Sequence, residues 1–351
     1  MPYPKVTIIW LNYNSMPIIE DVLASLEGVK NLDYPNYELI VVDNGSTDGS
    51  YEKVKSFIEE KLGSRAKILR MNTNLGFTGG VNAAFQARDP ESKYVILLNN
   101  DAMPEPDSVT RLVEEMEARP YLGAAQGIIL DPRTGLIDTA GEYLSEYIFG
   151  ASYLHGKPPT AMKKPVYITY AYGAYSIWRV EAVLKANNTN RMFYDELFAY
   201  CDDNVLGLKL WHAGYRVASF PFIAARHSRG STFGRVKPYR VYLSARCWSF
   251  LYHATNITTK AKLVIRLLYT RKLFTVPLAV KNLGLFKQFL KAWRDGKRIA
   301  ERVVEKEGRI DITKAPLIKL KPIDIAKLLV AARLLKVDRR VVEERFSLEE
   351  T

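Results

Sequence analysis

An α/β fold with a mostly parallel sheet flanked by helices is the architecture this sequence predicts, and two observations predict it. Over the first hundred residues, short apolar runs rich in β-formers alternate with segments of helix length, and each run stops at a cluster of Asn, Asp, Gly or Ser. Strands spaced by helices of that length imply βαβ units, in which the strands lie parallel. A third feature bounds the prediction. Beyond about residue 236 the pattern changes to helix only, with Lys and Arg interleaved among Leu, Ile and Phe.

Taken in order, Val6 to Leu11 (VTIIWL) is the first strand, followed by a helix from about Met16 to Val29. Tyr37 to Val42 (YELIVV) is the second strand, ended by the turn-forming DNGSTDGS, and Ser50 to Leu62 is the next helix. Lys67 to Met71 is the third strand, Gly79 to Ala87 opens a helix, and Tyr94 to Leu98 (YVILL) is the fourth strand. A helix from about Asp107 to Ala118 follows, then β-like segments at 124–130, 166–178 and 217–220. Phe193 to His212 is helical in its second half, and residues 145–165, with GKPPTAMKKP, are expected to be a loop or flap. This divides the chain into residues 1–235, an α/β unit, and residues 236–351, a basic helical region.

With 351 residues and 48% hydrophobic content the chain can bury a core, and 25% charged residues argue against wholesale disorder. The net charge of +12 is uneven. Residues 1–235 carry 24 Lys and Arg against 27 Asp and Glu, and residues 236–351 carry 26 against 11. The second region is therefore +15 and suits an anionic partner. Neither Cys201 nor Cys247 sits in a CxxC motif, so no disulfide scaffold is expected and a reducing, cytoplasmic compartment is. The opening MPYPKVTIIWLNYN runs straight into a strand, so no cleavable leader is expected. The apolar run Leu273 to Val280 is flanked by Arg271, Lys272 and Lys281 and falls far short of the ~20 residues a membrane span needs.

In an open α/β sheet, ligands bind beyond the carboxyl ends of the strands. Here those ends carry Asn12 and Tyr13; Asp43, Asn44, Gly45 and Ser46; Asn72, Asn74 and Gly76; and Asn99, Asn100 and Asp101. Each cluster alone is turn chemistry. Four of them on one rim point to a ligand site. Between a strand and a helix lies NLGFTGGVN (74–82), whose glycines let backbone N–H groups approach an anion, although it is neither a GxGxxG fingerprint nor a Walker loop. Asp101 stands where a diphosphate-bound Mg²⁺ or Mn²⁺ could be held, although a lone Asp there is more often a turn residue. Asp202 and Asp203 precede a helix, where they either stabilise its dipole or supply a general base. His227, in AARHSRGS, is the one histidine of four beside a Gly-Ser turn, and imidazole can ligate a metal.

Together these stretches resemble family-2 glycosyltransferases of the GT-A fold, especially their rhamnosyltransferase-like and galactofuranosyltransferase-like branch. The resemblance rests on VTIIWLNYN, YELIVVDNGSTDGS, NTNLGFTGGVNAA, YVILLNNDA, FYDELFAYCDDNVLGLKLWHAGYRV and ARHSRGS, in the family's order, over about residues 5–233. It implies a Rossmann-like sheet and an inverting, single-displacement transfer from a UDP-, dTDP- or GDP-linked sugar to a hydroxyl acceptor, glycan or lipid-linked. Asp43 would hold the base, with Leu11, Asn12, Tyr13, Asn44 and Ser46 around it. Asn74, Gly76, Gly79, Gly80, Asn82 and Asn100 would lie near the nucleotide and sugar. Asn99 and Asp101 match the DxD metal motif, and His227 completes the site for Mn²⁺ or Mg²⁺. Asp203 matches the catalytic base and Asp202 its orienting or acceptor-binding neighbour. Gly173, Trp178, Arg246 and Trp248 are expected on the acceptor side.

This chain departs from the family's pattern in three places. The DxD motif reads Asn99-Asn100-Asp101, the acidic pair reads Asp-Asp rather than Glu-Asp, and Cys201 replaces a glycine. The basic tail fits either the surface of an anionic membrane or a packed subdomain with a solvated face. Two other readings of the whole remain open at this stage. One is a basic nucleic-acid-binding protein, although the sequence carries no nucleic-acid motif. The other is a nucleotide-sugar-binding scaffold without activity.

Overall fold

A computed structural model describes residues 3–228, 238–279, 281–330 and 337–348. The expected boundary at residue 235 and the end of the AARHSRGS motif, Arg229 to Ser231, lie outside the described residues.

The first half forms as the sequence predicts. β1 (Val6–Asn12), α1 (Ile19–Lys30), β2 (Tyr37–Asp43), α2 (Ser50–Lys61), β3 (Ala66–Arg70), α3 (Gly76–Ala87) and β4 (Tyr94–Asn99) alternate. The order β4-β1-β2-β3 is parallel throughout, with Val6 opposite both Tyr37 and Tyr94. Strands β1, β2 and β4 are buried almost end to end, as a sheet covered by helices on both faces requires. The order of strand addition reverses at β1, with β2 and β3 on one side and β4 on the other, and the crevice this opens at their carboxyl ends is where α/β sheets bind ligands.

The sheet then extends through less regular strands. β5 (Ala102–Pro104), α4 (Ser108–Ala118), β6 (Leu122–Leu130), β7 (Ile137–Thr139), β8 (Glu142–Leu144), β9 (Gly150–Ser152), β10 (Val166–Tyr167) and β11 (Tyr175–Arg179) follow. β11 is antiparallel to both β4 and β6, whereas β12 (Arg216–His227) is parallel to β6. Two expectations change here. The expected strand 166–178 is two strands, because residues 168–174 leave the sheet and run over its carboxyl edge. Residues 145–165 are largely irregular, as a loop or flap would be, but they are packed: Tyr147, Ile148, Phe149, Tyr153, Leu154 and Met162 are all buried in the core. The apolar spacing in that stretch was masked by its Gly and Pro content.

α5 (Val180–Asn187) and α6 (Asp202–His212) cover one face. The helical region consists of α7 (Pro238–Ala254), α8 (Thr259–Ala279), α9 (Gly284–Glu307), α10 (Pro322–Val330) and α11 (Arg339–Arg345). α7 and α9 cross closely because Gly296 has no Cβ; one there would collide with the Arg246 carbonyl and Ser249. This region shares the main core: Phe250, Ile265, Ile299 and Val342 pack in the same cluster as Ile9 and Val42. The chain end returns to the sheet, where Ser347 bridges Val166 and Phe346 stacks on Tyr143 with 5.7 Å between ring centres.

The cysteine expectation is overturned. Cys201, just ahead of α6, and Cys247, within α7, form a disulfide with 5.3 Å between Cα atoms. They are 46 residues apart in sequence, and only the docking of α7 against α6 brings them together. The reducing compartment inferred from unpaired cysteines loses its basis. Among the described residues, no helix is long and apolar enough to cross a membrane.

Candidate active site

A cavity of about 530 Å³ opens at the carboxyl ends of β1, β2 and β4. Leu11, Tyr13, Asn44, Asn74, Gly76, Asn99, Asn100, Asp101, Gly173, Asp202, Asp203 and His227 line it, so residues predicted from far-apart stretches converge.

The floor is organised by side chains behind the wall. Asn12, fully buried, donates from its amide to Asp43 Oδ1 (2.9 Å), Ser46 Oγ (3.1 Å) and Ser50 Oγ (3.1 Å). Asp43 Oδ2 accepts from the Ser46 N–H, and the Arg70 guanidinium lies 3.8 Å from the same oxygen while stacking on Tyr51. Asn12, Asp43 and Ser46 thus hold the DNGS turn and do not line the cavity. Asn44 ties the end of β2 to the segment between β3 and α3, donating to Asn74 Oδ1 and the Gly76 carbonyl and accepting from the Leu75 N–H.

α3 begins at Gly76, three residues earlier than the sequence suggests. Gly76 has φ +75°, and a Cβ there would strike the carbonyl and ring of Phe198. The same carbonyl accepts the Thr78 N–H at 3.1 Å. Gly80 lies against Leu11, and Asn82 bonds Met192, Phe193 and Asp195. Asn82 therefore docks α3 onto the 192–198 segment, Gly79 lies against Leu75, and none of Gly79, Gly80 and Asn82 lines the cavity.

That segment delivers the acidic pair. Phe198 and Tyr200 both have positive φ, +59° and +61°, a conformation that side chains disfavour and that concentrates at functional sites. The tight turn ends with Asp202 and Asp203 opening α6. Asp202 Oδ1 accepts from the Cys201 N–H, and Asp203 Oδ2 accepts from the Gly173 N–H at 3.3 Å. Burial raises the pKa of both carboxyls above the usual range, and the charge of Asp202 adds to the rise at Asp203.

On the opposite wall β5 pairs antiparallel with β12 and sets His227 opposite Ala102. His227 Nε2 then lies 3.1 Å from Asp101 Oδ1, and its Nδ1 lies 3.3 Å from Asp138 Oδ2. Burial opposes charge on this imidazole, but the two aspartates outweigh it and carry the pKa up to about 9. A carboxylate behind a metal-binding histidine is the usual orienting arrangement. Asp138 was not foreseen, because nothing near it in sequence marks it. No group of three or more His, Cys, Asp or Glu side chains placed to hold a metal occurs among the described residues. Asp101 and His227 offer one oxygen and one nitrogen ligand, which suits Mn²⁺ or Mg²⁺ only if other oxygens come from elsewhere.

The acceptor-side expectations fare unevenly. Gly173 lines the cavity. Trp178 does not: it is fully buried in the core on β11, a strand buried along its whole length. Arg246 is buried and donates to the Leu197 carbonyl, and Trp248 packs on Phe149 beneath Lys272. Both brace α7. Among the described residues, the Arg240 guanidinium also lines the cavity and lies over the Tyr200 ring, with Tyr172 and Phe198 on the same lining. Only the packing of α7 across the cavity mouth could have revealed Arg240.

Residues 7–159 match the family described as Glycosyl transferase family 2. Among curated proteins the chain is 27% identical over 162 residues to an uncharacterized glycosyltransferase of Haemophilus influenzae, covering 45% of this chain and 47% of that protein. It is 29% identical over 115 residues to a poly-beta-1,6-N-acetyl-D-glucosamine synthase of Staphylococcus epidermidis, covering 33% and 26%. The matched stretches span about half or less of these relatives. Among solved structures it is similar to S. aureus TarS 1-349 in complex with UDP-GlcNAc (TM-score 0.56, 18% identity, 86% of this chain and 83% of that one). It is also similar to GalNAc-T7 with UDP, GalNAc and Mn²⁺ (TM-score 0.60, 12% identity, 87% and 58%). The fold is that of GT-A glycosyltransferases, and residues 7–159 are similar to the Glycosyl transferase family 2 model.

Proposed function

We propose that the protein transfers a sugar from a nucleotide-diphosphate sugar to a hydroxyl acceptor on a glycan or lipid-linked glycan, with inversion. The observation that carries this reading is that the Asp101–His227 pair and the Asp202–Asp203 pair line one cavity at the sheet's ligand-binding edge. In its favour stand the family-2 match and the nucleotide-bound relatives of the fold. The closer likeness to the rhamnosyl- and galactofuranosyl-transferring branch rests on the motifs alone.

The two pairs divide the chemistry. Asp101 and His227, with Asn99 beside them, would hold a divalent cation together with the donor's diphosphate oxygens. Such a cation supplies positive charge for the leaving nucleoside diphosphate. Asp203 Oδ takes the acceptor hydroxyl proton as the new C–O bond forms at the anomeric carbon and the bond to phosphate breaks. A raised pKa makes Asp203 a stronger base once ionised. Asp202 and the Gly173 N–H hold it in place, and the Arg240 side chain stands ready for a phosphate or acceptor anion.

The test is transfer by Asp203→Asn. Turnover should fall by about 10²–10⁴-fold, the usual contribution of a positioned base. A thermal-shift panel of UDP, GDP and dTDP with and without Mn²⁺ should show unchanged nucleotide binding. Full activity in that variant would remove Asp203 from the role, and no stabilisation by any nucleotide would remove the donor reading.

A further inference from the structure

Among the described residues, the outer face of α8 is left exposed, yet it is apolar. Leu263, Leu267, Phe274 and Leu278 are 51–66% exposed, and they recur at helical spacing along one stripe. The opposite face of the helix is also apolar: Ala261, Ile265, Leu268 and Leu273 pack inward. The stripe continues past the helix to exposed Leu283 and to Leu290 on α9, and Phe274 meets Phe286 with 5.6 Å between ring centres. Apolar surface of this extent on a folded chain marks a docking site.

Charge identifies the occupant. Residues 204–294 contain no Asp or Glu. Around the stripe, Lys260, Arg266, Lys281, Lys287, Lys291 and Arg294 are exposed. Between α8 and α9 a groove of about 620 Å³ is lined by Arg266, Tyr269, Leu273, Leu290, Trp293 and Arg294. Two guanidinium groups over an aromatic and aliphatic floor match a phosphate-bearing headgroup above acyl carbon. A second copy on this face would set cation against cation with no acid to pair them. With 21 residues α8 is about 31 Å long, and a helix with an apolar stripe flanked by Lys and Arg lies in the plane of a bilayer surface.

We propose that the outer face of α8, with the start of α9, docks on an anionic phospholipid membrane, and that the Arg266–Arg294 groove seats a lipid phosphate. The inference does not rest on the transfer reaction and is tested without it. The full chain is sedimented with vesicles of phosphatidylcholine alone or mixed with phosphatidylglycerol. Binding is expected only to the mixed vesicles and is lost at about 1 M salt, where charge is screened within about 3 Å. Replacing both arginines (Arg266→Gln, Arg294→Gln) should weaken binding about thirtyfold, and Leu267→Ser with Phe274→Ser should weaken it at least about tenfold. Arg266, Leu267, Phe274 and Arg294 are all exposed, so circular dichroism and Tm should match the parent. Equal binding to neutral vesicles, no binding to either, or a solution dimer that these substitutions dissociate would each overturn the proposal.

Discussion

His227 Nε2 and Asp101 Oδ1 stand 3.1 Å apart although 126 residues separate them in the chain. The contact exists because β5 and β12 pair antiparallel directly after the strand end that carries Asp101. Asp138 backs the imidazole from the other side. Two side-chain ligands make a weak site alone, so calorimetry should find weak Mn²⁺ binding without nucleotide and much tighter binding with it. Asp101→Ala should abolish the gain, and a tight site in the free protein would contradict the arrangement.

Asp138 acts through His227 and should behave as a positioning residue. Asp138→Asn is expected to cost about 10–100-fold in Mn²⁺ affinity measured with nucleotide present. Nucleotide binding in the absence of metal should stay at the parent level. A parallel loss of both would mean that the substitution merely unsettles β7.

Asp202 lifts the pKa of Asp203, after burial, by its charge. A base works only when deprotonated, so activity should rise with pH along a limb that lies above the ordinary carboxylate range. Asp202→Asn removes the repulsion, lowers the pKa of Asp203 and moves that limb to lower pH. A kcat/KM profile over pH reads the shift, and a limb that stays in place would separate the two carboxyls functionally.

The Cys201–Cys247 bridge anchors α7 to the turn that presents the acidic pair. A loop of 46 residues corresponds to about 4 kcal/mol in the chain-entropy account. Thiol titration of the denatured, unreduced protein should find no free cysteine. Reduction should lower Tm and, because Cys201 adjoins Asp202, lower turnover more than nucleotide affinity.

Gly76→Ala should destabilise by about 1–3 kcal/mol through its positive φ, with further loss from the Cβ contact on Phe198. Gly135→Ala separates the two effects, since Gly135 has φ +69° with open space around it. Urea unfolding of both variants should show the larger loss at Gly76, and only Gly76→Ala should impair nucleotide binding.

The sequence by itself determined the alternation of strands and helices, the parallel half of the sheet and the polar strand ends, because apolar periodicity and turn residues act locally. The resemblance in its motifs also singled out Asp101, Asp202, Asp203 and His227, which the fold brings to one cavity. It misplaced Trp178, Arg246 and Trp248, which resemble acceptor contacts in composition but are committed to the core and to α7. Tertiary structure alone decided that Asp43 and Asn12 stand behind the cavity wall, that Asp138 backs His227, that Arg240 faces the cavity and that the two cysteines are joined. Each of these depends on how elements far apart in sequence pack and register against one another, and no local pattern of residues encodes that.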